Sequence, residues 1–290
     1  MQRVPKWQQC RRHVMRCMSA SVGAETTTHF GFREIARDQK EELVAGVFHS
    51  VAGKYDLMND VLSGGIHRYW KDVLLQRAGP VSGMRVLDVA GGTGDISFRM
   101  ADRMQSGEVV VSDINPSMLQ VGHERAHARA FRFGANILPF PLPEEAEADQ
   151  SDKLQMKFVE ANAEELPFED NSFDLYTIAF GLRNVTNTDK ALKEAHRVLR
   201  RGGRFLCLEF SQMECAPIAS LYDWYSFNVL PEIGQVITGD REAYQYLAES
   251  IRQFHSKQRL VELMSEAGFH DSSYEKLTNG MVCIHSGFKL

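Results

Sequence analysis

The stretch from Met84 to Asp95, MRVLDVAGGTGD, decides the fold. A short run rich in Val and Leu is closed by Gly91-Gly92-Thr93-Gly94 before a helical pattern sets in, which reads as buried strand, glycine turn and helix. Glu108 to Ile114 (EVVVSDI) predicts a second buried strand with Asp113 near its end, and Pro116 suits the first turn of the next helix. Further strands are expected over Met156–Ala161, Phe173–Phe180 and Arg204–Phe210, with helix over Asp189–Leu199 and Ser256–Ala267. His270–Leu277 and Met281–Phe288, joined by Thr278-Asn279-Gly280, predict an antiparallel hairpin at the sheet edge. Strands alternating with helices imply a mostly parallel sheet covered on both faces. The expected class is therefore α/β and Rossmann-like, with seven strands and an antiparallel C-terminal edge. Ahead of the glycine turn, Phe32 to Asp72 carries charged and apolar residues at three- and four-residue spacing, which predicts a helical N-terminal cap. Residues 131–153, with three prolines and an acidic cluster, read as a solvated insertion loop without chemistry.

Composition narrows the partners. The chain has 290 residues, 43% hydrophobic, with a formal net charge of −5. Arg3, Lys6, Arg11, Arg12 and Arg16 precede Ala24 with no acid among them, which leaves 28 basic against 38 acidic side chains in the remainder. So acidic a body argues against a nucleic-acid partner, whose phosphates demand Lys and Arg. A basic, acid-free start interspersed with Val4, Trp7, Val14 and Met15 predicts a mitochondrial presequence over 1–30, with a single domain over 31–290. No stretch reaches the ~18 apolar residues of a membrane span. Five cysteines without a C-x-x-C give neither a disulfide framework nor a structural metal site.

In a doubly wound sheet the ligand lies beyond the carboxyl ends of the strands, and an acid about 20 positions after the glycine turn takes ribose hydroxyls. Asp113 stands nineteen residues after Gly94. The dinucleotide fingerprint is incomplete, because Ser97 occupies the third glycine position. Asp88 and Asp95 also put negative charge where a pyrophosphate needs donors. S-adenosylmethionine, with a sulfonium, an ammonium and a ribose but no phosphate, suits these carboxylates. Asp88, Gly91, Gly92, Thr93, Gly94, Asp113 and Ile114 are the expected contacts from this region.

These residues resemble the class I S-adenosylmethionine-dependent methyltransferases, and within them the ubiquinone/menaquinone-biosynthesis C-methyltransferases, in their mitochondrial branch. Tyr55-Asp56-x-Met58-Asn59 with Ser63, His67 and Trp70 matches one signature of that family. Arg197-Val198-Leu199-x-x-Gly202-Gly203 through Glu209-x-Ser211 matches another, with Arg200-Arg201 in place of the usual Lys-Pro. The runs GGTGD, NAEELPF from Asn162 and FGLRNV from Phe180 complete a resemblance covering Gly46 to Leu290. It implies that Thr93, Asp113, Asn162 and Ala163 contact the cofactor, while a Ser of bacterial members is Ala179 here. It further implies methylation of a ring carbon of a methoxy-polyprenyl-benzoquinol, a homodimer, membership of a coenzyme Q synthesis complex, and peripheral attachment to the matrix side of the mitochondrial inner membrane.

Such a reaction needs electron density on the ring carbon, near-attack geometry in a dry site, and a group that manages the departing proton. Arg183, with Asn184, is the leading catalytic candidate, as a stabiliser of a forming phenolate rather than a base. His67 is the candidate general base. Tyr55, Asp56, Asn59 and Trp70 from the cap, and Tyr222 and Tyr244 from a lid expected over 214–255, are the candidate substrate contacts. An aromatic stripe such as Leu221–Leu230 reads equally well as plain core. His123-Glu124-x-x-His127 matches a zinc-protease helix, but nothing identifies a third ligand. No Asn/Asp-Pro-Pro-aromatic motif follows the fourth strand, which argues against nucleic-acid amino methylation, and a catalytically silent scaffold is the remaining rival.

Overall fold

The computed structural model describes residues 27–51, 59–60, 63–141, 153–214 and 216–290. The basic leader and the candidate contacts Tyr55 and Asp56 lie outside the described residues. The chain opens with a hairpin of β1 (Thr27–Phe30) and β2 (Arg33–Ala36), followed by α1 (Arg37–Val51) and α2 (Ile66–Ala78). Phe32 to Ala36 is thus not the helix that its spacing predicts. Tertiary contact overrides the local pattern here: the Phe30 ring stacks on Tyr246 at 4.2 Å, and the Phe32 amide donates to Glu249 Oε2 at 3.0 Å.

The alternating core follows as β3 (Arg85–Val89), α3 (Asp95–Ala101), β4 (Gly107–Asp113), α4 (Pro116–Phe133), β5 (Asn136–Ile137), β6 (Leu154–Glu160) and β7 (Phe173–Ala179). Next come α5 (Thr188–Val198), β8 (Leu199–Phe210), α6 (Ala216–Asn228), α7 (Leu230–Thr238), α8 (Arg241–Gln253), α9 (Lys257–Glu266), β9 (His270–Leu277) and β10 (Val282–Phe288). The sheet order is β5-β6-β4-β3-β7-β8-β10-β9, parallel except where β10 pairs with β8 and β9. The sheet has eight strands among the described residues rather than seven, because Asn136–Ile137 adds a short parallel edge beside β6. Two residues are too few to show a periodicity. The loop expected from 131 also starts later, because α4 runs on to Phe133, where Gly134 ends it in the left-handed region at φ 60°.

Period-two alternation divides the core. Val86 packs with Trp70, Leu74 and Leu119 on one side of the sheet, while its neighbour Leu87 packs with Leu192, Ala195 and Leu260 on the other. On α2, His67, Trp70, Lys71, Leu74, Leu75 and Ala78 form the buried stripe, spaced three and four apart. That stripe brings two ionisable side chains to the carboxyl edge of the sheet. Asn115 caps α4 through its side chain, and Ser256 caps α9.

Candidate active site

β3 ends at Val89, and the chain turns through Ala90 at φ 52° and Gly92 at φ 52° before α3 begins. A Cβ on Gly91 would lie 2.8 Å from Val111 Cγ1 and 3.0 Å from the Asp88 carbonyl, so only glycine fits between β3 and β4. The turn is tied to β4: the Gly92 amide donates to Asp113 Oδ2 and the Asn115 amide to Asp113 Oδ1, each at 2.9 Å. Burial pushes the Asp113 carboxyl up to about 6, against those amide bonds.

One cleft runs along this edge, and Asp88, Gly91, Gly92, Thr93, Asp113, Ile114, Asn162 and Ala163 line it together. Gly94 does not: its φ of 84° closes the turn against the Phe98 ring, where a Cβ would sit at 2.8 Å. Nor does Asp88 offer a free carboxylate. Its two oxygens accept from Ser97 Oγ and Thr177 Oγ1, both at 2.7 Å, and burial raises it to about 6. Burial likewise opposes the charge on Asp95, but Lys71 Nζ at 2.7 Å and Arg99 Nε at 3.1 Å outweigh it and hold that carboxyl below its usual value. Asp95 is therefore a neutralised acid, not the bare charge its position beside the turn implies.

Helix α1 roofs the cleft with Glu41, Val44, Ala45 and Phe48. Asn162 donates from Nδ2 to Glu41 Oε2 at 3.2 Å and accepts at Oδ1 from the Glu164 amide at 2.9 Å. Lys40 Nζ donates to the Val185 carbonyl at 2.9 Å, and burial lowers this lysine to about 8.

A second cavity adjoins the first and shares Phe48, Lys71 and Phe180 with it. Asn59, His67, Trp70, Arg183 and Tyr222 all line it, as do Phe210 and Tyr246. Asn184 lines the first cleft instead, and its Oδ1 accepts from Tyr246 Oη at 3.0 Å. Tyr244 lines neither cavity: it is fully buried, and its ring fills the space that a Cβ on Gly234 would need. Trp70 is also fully buried and donates from Nε1 to Thr278 Oγ1 at 2.7 Å, so it is a fixed wall. Phe180 adopts φ 58°, a costly conformation for an aromatic residue, in the partition between the two cavities.

Arg183 is held from three sides. Its Nη1 donates to the Phe180 carbonyl at 2.5 Å and to Glu209 Oε1 at 2.8 Å, and its Cζ lies 5.5 Å from the Phe210 centroid. His67 is oriented just as closely. Ser63 Oγ donates to the Asn59 carbonyl at 2.7 Å, so the 2.8 Å contact between Ser63 Oγ and His67 Nδ1 requires that Nδ1 carry the proton. Nε2 then keeps its lone pair, 3.7 Å from Asp60 Oδ1. Burial, and after it the charge of Lys71, holds His67 below its usual value, so it is neutral near pH 7.

Lys71, Glu209, Phe180 and Phe210 complete the site without having been named as contacts in the sequence. Glu209 was visible only as a signature residue, and Lys71 shares its helical stripe with His67. His123 and His127 lie on α4 with Nε2 atoms 3.2 Å apart, and His123 packs edge-on to Phe158. Among the described residues, no group of three His, Cys, Asp or Glu could hold a metal ion.

Solved structures share this architecture at low identity. A SAM-dependent methyltransferase from Thermotoga maritima aligns with a TM-score of 0.53 at 16% identity, over 84% of this chain and all (100%) of that one. Another from Aquifex aeolicus aligns at 0.51 and 14% identity, over 76% and 89%. Glycine turn, Asp113 and sheet order together define an S-adenosylmethionine-dependent methyltransferase. The ubiE/COQ5 methyltransferase family model matches residues 36–289, and the chain belongs to that family. A ubiquinone/menaquinone biosynthesis C-methyltransferase of Rhodopseudomonas palustris is 50% identical, over 91% of this chain and 98% of that protein. The human mitochondrial 2-methoxy-6-polyprenyl-1,4-benzoquinol methylase is 47% identical, over 91% and 84%.

Proposed function

We propose that this chain methylates a ring carbon of 2-methoxy-6-polyprenyl-1,4-benzoquinol in ubiquinone biosynthesis, the substrate carried in the name of its human relative. The supporting observation is the aromatic second cavity, with Arg183 and His67 in its wall, which adjoins the cofactor cleft and shares Phe48, Lys71 and Phe180 with it. S-adenosylmethionine suits the cleft because Glu41, Asp113 and Glu164 line it beside the already partnered Asp88 and Asp95, an acidic wall for a cationic sulfur and ammonium, and when bound it would supply an electrophilic methyl group. Asp113 takes the ribose hydroxyls, with Asn162 and Ala163 beside the adenine, Thr93 on the glycine turn and Ile114 after β4.

In the second cavity Arg183 donates to an ionising ring hydroxyl. Glu209 balances its charge, so Arg183 acts by directed N–H bonds in a dry site rather than as a bare cation. Neutral His67 accepts the proton of that hydroxyl, with Asp60 placed to stabilise the imidazolium; the ring carbon takes the methyl group as its bond to sulfur breaks, and the proton then lost from that carbon restores the hydroxyl. Asn184 positions the cofactor side of this wall. Asn59, Trp70 and Tyr222 border the quinol, and helices α6 to α8 supply the apolar cover for its tail.

The leader, acid-free up to Ala24, and the mitochondrial relatives support import, with the leader ending ahead of β1 rather than at residue 30, because Thr27–Phe30 pairs with β2 and Phe30 stacks on Tyr246. The family resemblance supports a homodimer within a coenzyme Q synthesis complex, bound peripherally to the matrix side of the inner membrane. Among the described residues no helix is long and apolar enough to cross a membrane. The test is to incubate the purified protein with methyl-labelled S-adenosylmethionine and a short-tail methoxy-benzoquinol under reducing conditions. Label in a ring methyl is expected; its absence overturns the proposal.

A further inference from the structure

The cofactor cleft is acidic except at one point. Glu41, Asp88, Asp95, Asp113 and Glu164 all line it, and among its described wall residues Lys71 is the only lysine or arginine. S-adenosylmethionine carries one anionic group, the α-carboxylate, and an anion brought into such a wall needs a cation or it stays outside.

Sheet topology says where that carboxylate falls. The order β6-β4-β3-β7 sets Asn162, Asp113, the glycine turn and Phe180 in a row along one edge. With adenine at Asn162 and ribose at Asp113, an extended ligand crosses the turn and ends beside Asp95 and Lys71. Its sulfur then lies next to the partition that the two cavities share, which is where the methyl group has to leave. Lys71 is buried on α2, and Asp95 Oδ2, 2.7 Å from its Nζ, occupies one of the three N–H donors. Asp95 thus fixes the direction of the ammonium and leaves two donors for a ligand.

We infer that Lys71 binds the α-carboxylate of S-adenosylmethionine and that Asp95 is the positioning residue that aims it. The inference rests on the proposed placing of ribose at Asp113, but not on the identity of the methyl acceptor.

Decarboxylated S-adenosylmethionine isolates the contact, since it keeps the sulfonium and the amine and lacks only the carboxylate. Calorimetry with both ligands on wild type, Lys71→Met and Lys71→Arg gives the ratio of the two dissociation constants for each protein. The preference for S-adenosylmethionine over the decarboxylated compound is expected to fall at least about tenfold in Lys71→Met, the size of one charge-assisted contact, and to return in part in Lys71→Arg. Lys71→Met is also expected to bind the decarboxylated compound undiminished, which shows that the cleft is intact. An unchanged ratio in Lys71→Met, or loss of both ligands, overturns the inference. No quinol is present, so failure here leaves ring methylation standing, and absence of ring label leaves this result standing.

Discussion

Arg183 and Glu209 form a buried ion pair at the wall of the second cavity, with Nη1 2.8 Å from Oε1 and the two side chains 5% and 1% exposed. The arginine follows β7, the glutamate ends β8, and parallel pairing of those strands brings them together. Removing one partner strands the other charge out of water. Glu209→Gln is therefore expected to lower unfolding free energy by about 3 kcal/mol in a denaturant titration and to depress kcat more than KM. Arg183→Met is expected to cut kcat by about a hundredfold while leaving S-adenosylmethionine affinity within about threefold. Equal losses of turnover and cofactor affinity would remove the catalytic role.

Asp88 is raised by burial from 3.8 to about 6. A raised acid stabilises the fold fully below its unfolded value and loses that contribution as pH rises through its folded value. The window is therefore about pH 4 to 6. In Asp88→Asn the group no longer titrates, and one hydroxyl, of Ser97 or Thr177, can turn to accept from the new amide. Stability of the variant relative to wild type should increase from pH 4 to pH 7 by on the order of 1–3 kcal/mol, read from chemical denaturation across that range. A flat difference would show that Asp88 titrates normally.

His67 has the opposite sign. Burial, then Lys71, lowers it below 6.5, so the neutral base form is present at neutral pH and is lost only on acidification. Wild-type kcat should hold level near pH 7 and fall on an acid limb below about 6.5. His67→Gln is expected to lower the plateau by about a hundredfold and to abolish the limb. An acid limb that survives in the variant assigns the proton to another group.

Gly91 lines the first cleft and has no room for a Cβ. Gly91→Ala puts a methyl group 2.8 Å from Val111 Cγ1 and 3.0 Å from a backbone carbonyl, so β3 and β4 have to separate. Cofactor binding should be lost in calorimetry, with a destabilisation of about 1–3 kcal/mol. Binding at wild-type strength would mean that the turn adapts.

Much of the fold was legible because its signals are local. Period-two apolar runs, a glycine turn that tolerates no Cβ, and an acid at the end of the next strand are properties of adjacent residues, and they brought the turn and Asp113 to one cleft; Asn162 and Ala163, which share it, were expected only from the family resemblance. The β1–β2 hairpin was hidden because its stability comes from Tyr246 and Glu249, more than 200 positions away. Charge was the other quantity that chain order could not show. Asp88 reads as an available carboxylate until Ser97 and Thr177 occupy it, and Asp95 reads as a free charge until Lys71 and Arg99 cancel it. Arg183 was evident from its motif, but its neutral partner state depends on Glu209 arriving from the next strand. Sequence alone determined the class of sheet, the glycine turn and the acid at the end of β4, since each follows from short-range periodicity and backbone sterics. Which carboxylates remain free, which way His67 presents its lone pair, and where Lys71 sits were decided by tertiary structure, because burial and pairing energies exist only once distant elements meet.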